Sequence, residues 1–194
     1  MSTCQRILEA ATRLFAAEGY AGVSMREIAA AAGIRPASLY NHFDSKAALF
    51  LAVVRTLLAD KHARLIAPVP QDLPPCAQLR RFVEAFARFM AEDVVHARLP
   101  LWIMLQAQAE AQRIIVQDLW REEFEWVLAR MRRCVADPER ALTLTLQLFG
   151  LMLFEFAARS LIDQLPVEKV PSAEAEDVAQ RVWQAVACQM EEET

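Results

Sequence analysis

The sequence predicts an all-α fold of about nine helices in two domains, and three observations carry that expectation. With 55% hydrophobic and 24% charged residues among 194, the chain can bury a sizeable core and is no disordered tail. Four glycines stand against nine prolines, within long stretches of Ala, Leu, Arg and Glu that favour helix over sandwich or barrel. Apolar residues recur three and four apart, without strand-like alternation and without a repeat of roughly 20–50 residues.

The first helix is read from Ile7, Leu8, Ala11, Leu14 and Phe15, which fall on one face. Gly19 closes it as a residue free to take positive φ. Ser24-Met-Arg-Glu27 has the form of a capping box: the Ser24 hydroxyl accepts the N3 amide and the Glu27 carboxylate reaches back. That second helix turns Met25, Ile28, Ala29 and Ala32 inward and lasts two turns, to Gly33. Pro36 opens a third at N1, where a missing N–H costs nothing, with Leu39 and Phe43 on its buried face. Asp44 or Ser45 caps a longer fourth helix, expected to run to about Ile66 with Leu49, Val53, Leu57 or Leu58, and His62 along one side.

Ala67-Pro-Val-Pro-Gln-Asp-Leu-Pro-Pro75 holds four prolines in nine residues and cannot continue a helix. It reads as a stiff spacer between domains at 1–66 and 76–194. Charge separates the same way. Residues 1–64 carry eight Lys/Arg against five Asp/Glu, whereas residues 65–194 carry 13 against 20. The overall net charge of -4 therefore hides a basic amino-terminal part and an acidic remainder.

Beyond the spacer the stripes are helical to the end. Leu79, Phe82, Val83, Phe86, Phe89 and Met90 form one, and Pro100 to about Ala111 carries Leu101, Trp102, Met104 and Leu105. Val116, Trp120, Phe124, Val127, Leu128 and Met131 mark a long seventh helix. Asp137-Pro138 caps an eighth, to about Ile162, and Glu174 to Glu191 makes a ninth. The eighth contains the longest uncharged apolar run, 14 residues from Ala141 to Phe154, short of the ~20 that span a bilayer. One of its faces, through Leu146, Phe149, Leu153 and Phe156, is expected to meet the chain's own core. The other, through Leu144, Leu148, Leu151 and Ile162, needs separate cover. Glu155 and Arg159, four apart, are expected to pair.

Cys4, Cys76, Cys134 and Cys188 lie more than 50 residues apart, without the spacing of a zinc or redox motif, and Cys76 and Cys134 read as small hydrophobes. The first residues lack an apolar run and carry Arg6, Glu9 and Arg13, unlike a signal peptide. A reduced, soluble, cytoplasmic protein without metal or other cofactor is the expectation.

Two short helices joined at Gly33 form a helix-turn-helix candidate, in which small Ala29 lets the helices approach and Ile28, Ile34 and Leu39 fill the inside. The outer face of the second helix is then free to enter a major groove. The whole stretch Ile7-Leu-Glu-Ala-Ala-Thr-Arg-Leu-Phe15, Glu18-Gly-Tyr20, Ser24-Met-Arg-Glu-Ile-Ala-Ala-Ala-Ala-Gly33 and Ser38-Leu-Tyr-Asn-His-Phe-Asp-Ser-Lys46 closely resembles the TetR family of transcriptional regulators. The match covers about residues 5–55; the remainder resembles the family only in size and layout.

The resemblance implies a homodimeric repressor with two recognition helices in successive major grooves of a pseudo-palindromic operator. A small, largely apolar effector in the second domain would displace the fourth helix and weaken that grip. Tyr40, His42 and Lys46 match the family's DNA-contacting positions, Arg26 a position that reaches base or phosphate in some members, and Ser38 stands where Thr is commoner. Arg35-Pro36-Ala37 and Asn41 depart from the usual pattern; Arg35 remains a candidate DNA contact and Asn41 a candidate for bidentate pairing with adenine.

Phe86, Met90, Trp102, Gln106, Trp120, Phe124, Met152 and Phe156 are the candidate effector-lining residues, since aromatic and Met walls suit an adaptable apolar pocket as well as a core. Polar His96, Gln108 and Glu110 are further candidates to orient a ligand. Leu144, Leu148, Leu151, Glu155 and Ile162, with Val178, Val182 and Trp183, are the candidate dimer interface. Two other functions compete. An enzyme finds little support, because His42, His62 and His96 have no metal spacing and neither a nucleophile elbow nor a glycine phosphate loop occurs. A helical protein-interaction module without DNA binding is opposed by Tyr40, His42 and Lys46.

Overall fold

The computed structural model describes residues 1–59, 61–92, 98 and 120–191, and by internal contacts the chain divides into two compact units. The first contains residues 1–59; the second contains 61–92 and 120–191. The expected helix over Pro100 to about Ala111, with Trp102 and Gln106, lies outside the described residues, as do His96, Gln108 and Glu110.

In the first unit, α1 (Thr3–Gly22) begins at Ser2, whose hydroxyl accepts the Gln5 N–H. Gly19, at φ 72°, kinks it before a last turn. The expected capping box forms: Ser24 Oγ accepts from Glu27 N at 3.2 Å, and Glu27 Oε2 accepts from Ser24 N at 2.7 Å, starting α2 (Met25–Ala31). Gly33, at φ 68°, makes the turn while Ile34 N donates to Ala29 O. The third helix, α3 (Pro36–Tyr40), has five residues, and Asn41 is its C-cap. Ser45, through a bond from Ala48 N, opens α4 (Lys46–Leu58). Ile7, Ala11, Phe15, Ile28, Ala29, Leu39, Leu49 and Val53 are fully buried among these helices.

The fourth helix does not run unbroken to Ile66. It ends at Leu58, and α5 (Lys61–Leu65) is a separate piece assigned to the second unit, where Leu65 and Ile66 are buried and Lys61 is ion-paired. Packing within that unit, absent from the local pattern, selects this segment. After the prolines come α6 (Pro75–Glu92), α7 (Arg121–Cys134), α8 (Pro138–Ala157), the single turn α9 (Arg159–Ile162) and α10 (Ala175–Glu191). Asp137 caps α8 as expected, accepting from Glu139 N and Arg140 N. The core joins α6, α7, α8 and α10 through Leu79, Phe82, Val127, Met131, Leu148, Met152, Val182 and Val186.

Three expectations are corrected. Glu155 does not pair with Arg159: α8 ends between them, so they do not share a continuous helix. Glu155 instead takes Arg181 of α10 at 2.8 Å, and Arg159 pairs with Asp163. The two expected faces of α8 hold only in part: Phe149 and Leu153 are buried and Leu151 is exposed, as expected. Leu144, Leu148 and Ile162, expected to await outside cover, are buried within this chain, whereas Leu146, expected inward, is 56% exposed. A helix apolar all round has no polar face to set its rotation, so its partners α7 and α10 set it. Finally, Cys76 and Cys134 are disulfide-bonded rather than independent small hydrophobes.

Candidate functional site

The outward side of the helix-turn-helix is built by burying the opposite side. Leu39 is the fully buried anchor of α3, so its neighbour Tyr40 projects outward and is 53% exposed. Backbone bonds from His42 N and Phe43 N to Leu39 O, 3.0 Å each, wrap the chain beyond α3. Asn41 and His42 are exposed on that wrap rather than within the helix. Arg26 and Arg35 are exposed as well, and Ser38 is half-buried.

Lys46 is held differently. Its ammonium lies 4.5 Å from the centre of the Tyr20 ring, and Tyr20 packs against Phe15 and Phe50 at 6.0 and 5.0 Å between centroids. This positioning role of Tyr20 is not anticipated from the sequence, although Gly19-Tyr20 belongs to the stretch that carries the family resemblance. Lys46 also helps lower the pKa of Glu27, after the larger effects of the Ser24 hydroxyl and amide. The unit thus offers the Tyr40 hydroxyl, the Asn41 amide and the His42 imidazole at and just beyond the end of α3, with one held cation, Lys46, at the start of α4, groups suited to phosphate oxygens and base edges.

In the second unit aromatic rings gather around Phe149. Trp120, Phe86, Phe124 and Phe82 lie 5.4, 5.8, 6.0 and 6.1 Å from it between centroids. Of the candidate effector residues, Phe86, Met90 and Met152 are closed into this core, and Trp120, Phe124 and Phe156 are half-buried at its margin. Phe149, expected as core, is the hub joining them.

At the same margin is a buried ion pair that the sequence pattern does not anticipate. Lys61 Nζ meets Glu123 Oε2 at 2.7 Å, and the ammonium lies 5.7 Å from the Trp120 ring centre. The residues are 8% and 4% exposed; burial lowers the Lys61 pKa, and the Glu123 charge opposes that shift. Beside it, His62 pairs with Glu122 at 2.8 Å, and Arg64 pairs with Glu92. The five residues of α5 are therefore fastened to both α6 and α7 by charge.

Residues 7–53 match the family of bacterial regulatory proteins called the tetR family. These residues form a tetR-family amino-terminal domain. The chain is 27% identical to the transcriptional regulator BetI of Rhizobium meliloti (strain 1021) over 133 residues, 68% of this chain and 66% of that protein. It is 33% identical to the transcriptional repressor KstR2 of Rhodococcus jostii (strain RHA1) over 112 residues, 58% and 52% of the two chains. The matched region thus spans about half to two thirds of these relatives' length. Among solved structures, AibR in complex with isovaleryl coenzyme A and operator DNA shares the fold with a TM-score of 0.73 at 19% identity, covering 95% of this chain and 97% of AibR. FadR from Bacillus subtilis in complex with stearoyl-CoA does so with 0.73 at 14%, covering 94% and 96%.

In the second unit the interface candidates separate. Val178 and Val182 are buried in the chain's own core with Leu144, Leu148 and Ile162. Glu155 is engaged by Arg181. Trp183 is half-buried and lines a shallow groove of about 380 Å³ with Arg80, Glu84, Arg88 and Glu176. Among these candidates only Leu151 lies on the uncovered apolar stripe, joined there by Leu142, Leu146 and Phe154, the last 59% exposed. A Cβ on Gly150, in the middle of this stripe, would meet nothing within 4 Å.

Proposed function

We propose that this protein is a homodimeric, cytoplasmic transcription regulator that binds a pseudo-palindromic operator and is released by a small, largely apolar effector. The observation carrying this reading is the outward end of α3, with Tyr40, Asn41 and His42 exposed over the buried anchor Leu39 and Lys46 fixed on Tyr20. In the reading, Lys46, His42 and Arg35 contact phosphate, Tyr40 phosphate or base, and Asn41, Ser38 and Arg26 base edges. Repression matches what KstR2 is named for.

The effector half rests on the ring cluster around Phe149 and on two relatives of the fold whose complexes hold acyl-coenzyme A molecules. An acyl chain would use the apolar rings, and its thioester or head group the polar margin. We assign Phe86, Phe124, Trp120, Phe156, Met90 and Met152 to the effector site. An effector that changes the packing of α7 acts on α5 through Lys61–Glu123 and His62–Glu122, and the chain passes from α5 to α4 through residues 59 and 60. Release requires several kcal/mol of differential affinity between the operator-competent and effector-bound forms. The second copy is proposed to cover Leu146, Gly150, Leu151 and Phe154, a stripe that would otherwise stay wetted.

Selection from a random duplex pool, followed by fluorescence anisotropy on the enriched sequence, tests the reading. The wild type should enrich a pseudo-palindrome and bind as a dimer. Tyr40→Ala with Lys46→Ala should lose about 100-fold in affinity and flatten the salt dependence by about one unit per phosphate contact removed. Leu146→Glu with Phe154→Glu should give a folded monomer by sedimentation and abolish operator binding. Unchanged binding by the first double variant would refute the recognition surface, and an intact dimer of the second would refute the interface.

A further inference from the structure

The disulfide joins Cys76, in the first turn of α6, to Cys134, the last residue of α7, with their Cα atoms 6.1 Å apart and a sequence separation of 58. Both cysteines are only half-buried, so small thiol reagents can approach them. The bond is not alone in bringing these helix ends together. One turn inside the two cysteines, Arg130 Nε donates to Gln78 Oε1 at 2.8 Å. Arg130 also donates to Gln71 Oε1 at 3.2 Å and lies 3.7 Å from the Trp126 ring centre. Gln78, 3% exposed, donates from Nε2 to the carbonyls of Gln71 and Leu73, both at 2.9 Å.

This clamp has a consequence for the sulfurs. Breaking the disulfide leaves two thiols facing each other across a junction that is still hydrogen-bonded. Effective concentration is then high and closure needs no refolding. Of the two, Cys76 is the better placed to carry a thiolate, since it lies at the amino end of an 18-residue helix, whereas Cys134 closes its helix at the carboxyl end.

We propose that Cys76 and Cys134 form a reversible thiol–disulfide switch, driven by low-molecular-weight disulfides of the glutathione class, that fastens α6 to α7. These helices supply Phe82, Phe86 and Phe124 to the ring cluster, so the oxidised form stiffens that cluster and the dithiol form lets it open. In the forward direction the Cys76 thiolate attacks one sulfur of the oxidant, expelling one small thiolate and forming a mixed disulfide. The Cys134 thiolate then attacks Cys76 Sγ and expels the second. Two protein thiols are oxidised, one small disulfide is reduced to two thiols, and the protein's two protons pass to the leaving thiolates. The claim concerns the second unit alone and stands or falls independently of operator binding.

The full-length chain with Cys4→Ser and Cys188→Ser, equilibrated from both directions in mixtures of reduced and oxidised glutathione, tests it by maleimide gel shift and hydrogen exchange. A single two-thiol transition should appear within the range of these mixtures and vanish with Cys76→Ser. Reduction should lower the unfolding midpoint of the second unit by roughly 5–10 °C without loss of helix. It should also speed amide exchange in residues 76–82 and 127–134 about tenfold. Arg130→Ala, or the milder Gln71→Ala, should shift the transition to about tenfold more oxidising mixtures by loosening the clamp. A disulfide that persists in excess reduced glutathione is a fixed staple and overturns the proposal. A pair that stays dithiol in oxidised glutathione overturns it too, as does reduction that unfolds the unit.

Discussion

The two units hold their helices by different means. In the first, each start is secured by a neighbour in sequence: Ser2 for α1, Ser24 with Glu27 for α2, Pro36 for α3 and Ser45 for α4. In the second, the ties that matter reach far along the chain, as in Lys61–Glu123, Gln78–Arg130, Glu155–Arg181 and Cys76–Cys134. The proposed function divides in the same way. The side chains proposed to meet DNA stand outside a small closed core, which suits a reader whose shape must not vary. The groups proposed to meet an effector lie in and at the margin of the second core, so a molecule bound there would alter packing and remake long-range ties.

The largest effect should come from the buried pair. Glu123→Gln removes the carboxylate that lies 2.7 Å from the Lys61 ammonium, itself 8% exposed, and should cost about 3–5 kcal/mol. Lys61→Met with Glu123→Leu removes both charges and should be neutral or stabilising by about 1–4 kcal/mol. Denaturant unfolding followed by hydrogen exchange resolves the units. Loss confined to residues 61–92 and 120–191 sharpens the contrast, whereas equal loss in residues 1–59 breaks it by making the units one cooperative body.

That same contrast explains which features are legible in the amino-acid sequence. The capping box, the Gly33 turn, the Pro36 start and the Leu39 anchor each depend on nearby residues, and local spacing reveals them all. The inward stripe of α6 is equally plain, because its polar face fixes its rotation. The rotation of α8 is not, since apolar residues all round leave Leu144 and Leu146 equivalent until α7 and α10 pack against them. Glu155 finds Arg181 instead of Arg159 because a helix end, invisible in the i, i+4 spacing, falls between Glu155 and Arg159. The disulfide and the Lys61–Glu123 pair join residues 58 and 62 positions apart, distances at which local spacing carries no information.

A smaller effect isolates backbone geometry in the first unit. Gly33 sits at φ 68° with open space where a Cβ would project, so Gly33→Ala meets no clash and its whole cost is the left-handed backbone. About 1–2 kcal/mol should be lost from the first unit, read as an earlier denaturation midpoint, with exchange in the second unit unchanged. A stability equal to that of the wild type would mean that the turn is held by its neighbours rather than by glycine's freedom.

The smallest effect concerns protons at the capping box. The Ser24 hydroxyl, then the Ser24 amide, hold the Glu27 carboxyl below its ordinary value of 4.5, with Lys46 adding a weaker pull. Because the folded pKa lies below the unfolded one, this stabilisation is complete above 4.5 and is lost as pH falls through the folded value. Acid should therefore loosen the start of α2 before it reaches the buried anchors Ile28 and Leu39. The Ser24 amide, which donates to Glu27 Oε2 at 2.7 Å, is the reporter. Its NMR shift should titrate with the carboxylate in the wild type and stay flat below pH 4.5 in Glu27→Gln, whose amide oxygen accepts the same bond without a titrating charge. An equal titration in both would place the acid sensitivity of this turn elsewhere, and the first unit would no longer be one whose helix starts are set by their immediate neighbours.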